Sequence, residues 1–190
     1  MIKNEYPFGA TFDKHMYNDI DTREQWANLF NYAVPANELK WKANEKVEGQ
    51  LDFEYGDLMR DLFKSWDVPF RGHTLFWGVA DRTPSWFEQS PTKEAMIKRV
   101  IDAASRYEGE VTGWDVFNEV LHDGDFFIKH FGEDIFAEMI GQYRIQNPTG
   151  KAAINDYNVL RADKGRCFLD RMDGLDLDAL GLQRSILTII

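Results

Sequence analysis

Cysteine is all but missing from this chain: Cys167 stands alone among 190 residues. A lone thiol excludes an internal disulfide and any metal site assembled from several cysteines. Histidine is nearly as scarce, with four residues. Long apolar runs are lacking too, since no stretch approaches the roughly 18 consecutive apolar residues of a membrane-crossing helix. The opening MIKNEYPFGA carries no apolar core of a secretory leader. Either an intracellular protein or a leader lying outside these residues is therefore expected. Basic residues are outnumbered by acidic ones, 22 to 32, for a net charge of -10. No basic cluster offsets that balance, which argues against nucleic acid and other polyanions as partners. Neutral or cationic partners fit better. A glycine-rich phosphate loop is absent after the first strand-like segment, as are solenoid repeats and low-complexity tracts.

What the chain does have is apolar and aromatic material, 44% and 14% of its residues, beside 28% charged ones. That composition buries a sizeable core and is not that of a disordered segment. The length suits one domain or a large part of one. Strand-like and helix-like patterns alternate. The strand candidates are PFGATF (7–12), YAVPANELKW (32–41), PFRGHTLFWG (69–78), GWDVFNEV (113–120), AAINDYN (152–158) and LDALGLQ (177–183). Several open on a compact apolar run and close on polar residues. A parallel strand reads this way when its body is buried and its C-terminal end opens on a site. Helical spacing fills the gaps. Asp21 with Glu24 predicts a capping-box-like start ahead of Trp26, Leu29 and Phe30. Tyr55 through Trp66 keep one apolar face. Ser90-Pro91 predicts the start, and Gly109 the stop, of a stripe from Met96 to Tyr107. Ile135 to Tyr143 and Phe168 to Met172 predict two more helices.

Such alternation implies a parallel sheet, either doubly wound or closed into a barrel. Polar and aromatic residues finish the second to fifth strands rather than a single pair at a switch point, and a barrel gathers its site from many strand ends. The expected fold is an α/β (β/α)8 TIM barrel. It is expected to be incomplete, with about six of eight units, because a full barrel takes roughly 250 residues. The last residues, RSILTII, form an apolar run without a cap, and frameshifted sequence is one reading of them.

The chemistry points to Glu119, which closes the fourth strand after Asn118. A carboxyl held against Trp114, Phe117 and Trp77 is poorly solvated, and desolvation favours the neutral form that a general acid needs near neutrality. Asn118 beside it suits a hydroxyl. A plain loop cap accounts for an Asn-Glu pair equally well on spacing alone. Trp41 and Trp114 read as core. Asp115, inside the fourth strand, reads as a buried hydrogen-bond partner, and the Asp123/Asp125 pair as a solvated loop.

Five segments taken together resemble glycoside hydrolase family 10, the retaining endo-β-1,4-xylanases. WDVFNEV is similar to that family's acid/base strand, RGHTLFWG (71–78) to its third, NELKW (37–41) after Pro35 to its second, NDYN (155–158) to its fifth and ALGLQ (179–183) to its sixth. They occur in the family's order across nearly the whole chain, so residues 1–190 read as a single partial catalytic domain of that family. The resemblance implies Glu119 as general acid/base and Asn118 as the residue holding the 2-hydroxyl of the sugar at the cleavage site. It implies that His73 and Lys40 bind the same sugar, and Asn37 the next one toward the non-reducing end. It places Trp77 on the cleft floor, Tyr157 on the leaving-group side and Gln183 near the nucleophile, with Trp86 packing structurally. Glu119 is expected to point into the groove beside His73 and Trp77. The implied substrate is xylan or a related β-1,4-linked polysaccharide, with no cofactor, no metal, no membrane and no nucleic acid. Such a substrate lies outside the cell, so the resemblance also implies secretion.

Three departures bear on that reading. Ala36 stands where the family commonly has Glu, and Gly78 where it has His, which implies altered specificity. Ser185 stands where it has His, and the nucleophile Glu of the seventh strand has no counterpart in these residues. Negligible xylanase activity is expected of this polypeptide by itself. A catalytically silent xylan-binding remnant remains an alternative, as does a barrel metallohydrolase built on His73, Glu119 and Asp156.

Overall fold

A computed structural model describes residues 6–79, 81–122, 125–157 and 159–183. The expectations for RSILTII, Ser185 and Asp123 fall outside those residues. The elements run β1 (Gly9–Phe12), α1 (Lys14–Asn18), α2 (Ile20–Leu29), β2 (Tyr32–Pro35), α3 (Trp41–Asn44), α4 (Glu54–Ser65), β3 (Gly72–Trp77), α5 (Ser85–Gln89) and α6 (Lys93–Ala104). They continue with β4 (Gly113–Asn118), α7 (Asp125–Phe131), α8 (Ile135–Gln146), β5 (Lys151–Tyr157), α9 (Ala162–Met172) and β6 (Ala179–Gln183).

Every strand pairing is parallel: β1 with β2, and β3, β4, β5 and β6 in sequence order. The two groups are joined at Ala33, whose N–H donates to Pro69 O and whose carbonyl accepts from Arg71, both at 3.0 Å. Six strands therefore follow one another side by side, each reached through a helical crossover, as parallel neighbours require. The core explains why. All six residues of β4 are buried, as are Leu75 and Phe76 of β3 and Ile154 of β5. Phe117 packs on Phe76 at 5.0 Å and on Phe136 of α8 at 4.7 Å between ring centroids. Gly72 opens β3 because the Trp114 indole lies across it, and a Cβ there would overlap the ring.

The six expected strands are all present, with one correction. The second stops at Pro35 rather than running to Trp41, because residues 36–40 turn and Trp41 begins α3. Helix starts also differ. Asp19 caps α2, accepting from the N–H groups of Asp21 and Thr22, so Asp21 lies within the helix, and Leu29 turns outward at 68% exposure. Thr92, not Ser90-Pro91, caps α6: its hydroxyl accepts from Ala95 N–H at 3.2 Å, meeting one orphan donor of the first turn. That helix ends at Ala104, ahead of Gly109, whose φ of 71° serves the turn that follows.

Four short helices are new. α1, α3, α5 and α7 follow β1, β2, β3 and β4 directly. They lie in the segments after the strands' C-terminal ends, where a parallel barrel builds its site.

Candidate active site

Beyond the buried body of β4 the backbone turns sharply. Glu119 adopts φ of 57°, a left-handed conformation that costs a non-glycine residue ~1–3 kcal/mol. Main-chain bonds hold the turn: Glu119 N–H donates to Asn155 O at 2.8 Å, and His122 N–H donates to Glu119 O at 3.1 Å. The side chain meets the end of β3, where Trp77 Nε1 donates to Glu119 Oε2 at 3.1 Å.

Two cations flank the same indole. Lys40 Nζ is 4.9 Å from the ring centroid and the Arg82 guanidinium 5.4 Å. Lys40 also donates to Asn37 Oδ1 at 2.8 Å. Burial, and then the Arg82 charge, push Lys40 down to about 8, against the opposing pull of the Glu38 and Glu119 carboxylates. The turn carrying Asn37 and Lys40 is fixed from beneath. Glu38, 8% exposed, accepts the N–H of Asn37 at 2.8 Å and of Lys14 at 2.9 Å. Arg99 of α6, 1% exposed, donates to Leu39 O at 2.6 Å, to Thr74 O at 3.2 Å and to Asn44 Oδ1 at 3.1 Å. Burial pushes this guanidinium down to about 9. The core thus locks the β2 turn onto β3.

Asn118 is 2% exposed. Its Oδ1 accepts from Gln183 Nε2 at 3.0 Å, and the same nitrogen donates to Asn155 Oδ1 at 2.5 Å. Asn118 Nδ2 is buried with no hydrogen-bond partner among the described residues. A buried donor left unmatched costs about 1–3 kcal/mol, a penalty that a ligand oxygen at that position would relieve.

Two histidines are held by fully buried aspartates. His73 Nδ1 lies 2.7 Å from Asp115 Oδ2, and Arg71 Nε stands 3.4 Å from that oxygen, at ion-pair distance but outside hydrogen-bond geometry. His122 Nδ1 bonds Asp156 Oδ1, while the Asp156 carboxylate also accepts the N–H groups of Leu121 and Tyr157, each at 2.6 Å. The His122 ring stacks on Tyr157 with 3.5 Å between centroids. His73 and Asp156 thus belong to separate pairs. Among the described residues no three His, Cys, Asp or Glu side chains are grouped to hold a metal.

The structure brings Asn37, Lys40, Trp77 and Glu119 into one contiguous set, and joins Asn118 to Gln183. His73 sits lower on β3, committed to Asp115, and Tyr157 ends β5 at 36% exposure. Asp115 is the buried hydrogen-bond partner expected of it. Trp86 packs against Trp41 at 5.8 Å and donates to Glu45 O at 2.9 Å. Sequence reasoning missed Arg82, Glu38, Arg99, Asn155 and His122. Asn155 lies within the NDYN segment and His122 three residues past Glu119, so spacing pointed near both. Glu38 likewise lies within the NELKW segment, whereas nothing in the local pattern marks Arg99.

The sequence profile of glycosyl hydrolase family 10 matches residues 1–188. Endo-1,4-beta-xylanase 1 of Arabidopsis thaliana is 32% identical over 161 residues, 83% of this chain and 17% of its own length. The anti-sigma-I factor RsgI6 of Acetivibrio thermocellus is 26% identical over 189 residues, 96% of this chain and 25% of its own length. The chain spans about a fifth of the length of these curated relatives. Among solved structures, a psychrophilic glycoside hydrolase family 10 endo-beta-1,4-xylanase matches with a TM-score of 0.84 at 20% identity, covering 94% of this chain and 64% of that one. The fold is that of a (β/α)8 barrel, and six of its strands lie within the described residues.

Proposed function

Because the chain belongs to glycosyl hydrolase family 10, we propose that these strand ends form the acid/base and glycone side of a retaining endo-acting glycosidase for the β-1,4-xylosidic bonds of xylan. The observation that carries this reading is Glu119, set on a left-handed turn at the end of β4 with its carboxyl on Trp77 Nε1, one residue past Asn118, whose Nδ2 is unmatched. Glu119 protonates the glycosidic oxygen and later takes a proton from the attacking water. Asn118 Nδ2 donates to the 2-hydroxyl of the sugar at the cleavage site. Lys40 and His73 bind the same sugar, Asn37 the next. Trp77 lines the floor, Tyr157 supports the leaving group, and Gln183 orients the Asn118 amide. Flat C–H faces of the sugar rings pack on the aromatic residues, and the hydroxyls meet the polar ones.

Retention requires a second carboxyl about 5–5.5 Å from the first as nucleophile. The buried carboxyls on the same strands, Asp115 and Asp156, are committed to His73 and His122 and do not fill that role. The 190 residues by themselves are expected to bind xylo-oligosaccharides without turning them over. A second reading, polysaccharide binding without cleavage, draws on the indole of Trp77 and the unmatched Nδ2 of Asn118, which suit a sugar whether or not a nucleophile is supplied. Calorimetric titration with xylohexaose, run beside a reducing-sugar assay on xylan, tests both. Binding with no release of reducing ends is the expected result. Turnover that Glu119→Gln abolishes would place a nucleophile within these residues. Failure to bind would sink the sugar-site reading.

A further inference from the structure

The amine of Lys40 is held where burial and a second cation act against its charge. The side chain is partly buried and lies on the Trp77 indole, 4.9 Å from the ring centroid. Its hydrogen-bond acceptor, Asn37 Oδ1 at 2.8 Å, is a neutral amide oxygen. The Arg82 guanidinium sits on the same indole, 5.4 Å from the centroid. A tied loop delivers it there: the N–H groups of Arg82 and Thr83 donate to Val79 O at 2.8 and 3.0 Å, and the Thr83 hydroxyl donates to Trp77 O at 2.6 Å. Two carboxylates act in the opposite sense, Glu38 from the turn of Lys40 itself and Glu119 from the end of β4. Burial and Arg82 outweigh them and bring the amine down to about 8.

Desolvation and a neighbouring cation are what make a lysine amine nucleophilic near neutrality. At about pH 7.5 roughly a quarter of an amine titrating near 8 is neutral, against about one part in a thousand at 10.5. A weaker base is also a weaker nucleophile. On the slope that holds for thiolates this removes about half of the gain on a logarithmic scale and leaves roughly tenfold.

We propose that Lys40 is a carbonyl-capture site, whose amine takes up small hydroxyaldehydes, the open-chain form of an aldose among them. The nitrogen lone pair forms the C–N bond to the carbonyl carbon. The carbonyl oxygen leaves as water with the two hydrogens of the neutral amine, and an imine remains. Hydroxyl groups of the captured molecule meet Asn37 and the Glu119 carboxylate, which shares the Trp77 indole. This reactivity belongs to the folded chain whatever polysaccharide it binds.

The test exposes the whole chain to glycolaldehyde at about pH 7.5, with sodium cyanoborohydride reducing each imine to a stable secondary amine and peptide mass spectrometry locating it. Lys40 is expected to be labelled roughly tenfold faster than Lys46 and Lys129, both exposed. Its rate is expected to level off above about pH 8. Arg82→Ala, at an exposed position, removes the second cation and is expected to slow Lys40 labelling about threefold, with circular dichroism confirming the fold. In urea beyond the unfolding transition the advantage of Lys40 is expected to vanish. Labelling of Lys40 no faster than that of the two exposed lysines overturns the proposal, as does an advantage that persists in the unfolded chain. An unchanged rate in folded Arg82→Ala overturns the part given to the second cation.

Discussion

The indole of Trp77 and the carboxylate of Glu119 meet across the β3–β4 pair, Nε1 to Oε2 at 3.1 Å. The proposed cleft floor and the proposed proton donor are therefore joined by a hydrogen bond. Trp77→Phe keeps a ring on the floor but removes the only N–H that the side chain offers. Xylo-oligosaccharide affinity is expected to fall about three- to tenfold, in keeping with the ~0.5–1.5 kcal/mol net contribution of one hydrogen bond. Calorimetry giving the same affinity for both proteins would show that this bond does not place the carboxyl.

The left-handed turn at Glu119 makes a separate claim about strain. Glu119→Ala and Glu119→Gly both delete the carboxylate, yet only glycine adopts a positive φ freely. The glycine variant is expected to be the more stable of the two by about 1 kcal/mol. On an ordinary strand end the order would be the reverse. Urea unfolding of both variants decides it.

Gln183 acts through Asn118. With its Nε2 shared between Asn118 Oδ1 and Asn155 Oδ1, it holds the Asn118 amide with its oxygen toward β6, which leaves Nδ2 for the proposed sugar contact. Gln183→Ala leaves that amide free to turn, and ligand affinity is expected to drop about threefold or more. The unfolding midpoint is expected to move less than in Asn118→Ala. Unchanged affinity in Gln183→Ala would remove it from the site.

Lys40 carries the pH prediction. In the folded chain burial and Arg82 bring it from 10.5 to about 8. Between those values the unfolded chain binds more protons than the folded one, so stability is expected to rise with pH across that window. Arg82→Ala removes a repulsive charge and raises the Lys40 midpoint, whereas Glu119→Gln removes an attractive one and lowers it. Nζ-directed NMR titration reads all three proteins. A midpoint near 10.5 in the unsubstituted chain would contradict the burial.

Arg99 is a matter of stability. Its guanidinium holds Leu39 O, Thr74 O and Asn44 Oδ1 at once. Arg99→Ala leaves these acceptors unmatched and opens a large void, with an expected loss of about 3–5 kcal/mol. Arg99→Lys is expected to restore little, since an ammonium cannot reproduce the planar fork. Guanidinium denaturation of both variants measures the loss, and a cost under about 1 kcal/mol would contradict the role assigned here.

β3, β4 and β5 were legible because their buried bodies are mostly apolar, as at Leu75-Phe76 and Val116-Phe117, whereas β1 and β6 are largely exposed and were legible by their place in the alternation. The long helices were legible because three or more turns repeat an apolar face, as from Tyr55 to Trp66. The short helices α1, α3, α5 and α7 escaped, since four to seven residues give no period to detect. Asn37, Lys40, Trp77 and Glu119 were found by likeness of motif, and their convergence was then visible only in space. Glu38 and Arg99 read locally as surface charges in a helical or turn context. They are buried because their partners lie on other segments, for Arg99 as far as 60 residues away.

The Glu38 carboxylate, bonded at once to the backbone of Asn37 and of Lys14, ties two neighbouring segments through main-chain donors. Any residue but proline supplies such a donor, so a graft of residues 36–53 from a relative keeps the tie wherever position 38 carries a carboxylate. Engineering of this rim therefore turns on one side chain, leaving the strands beneath untouched.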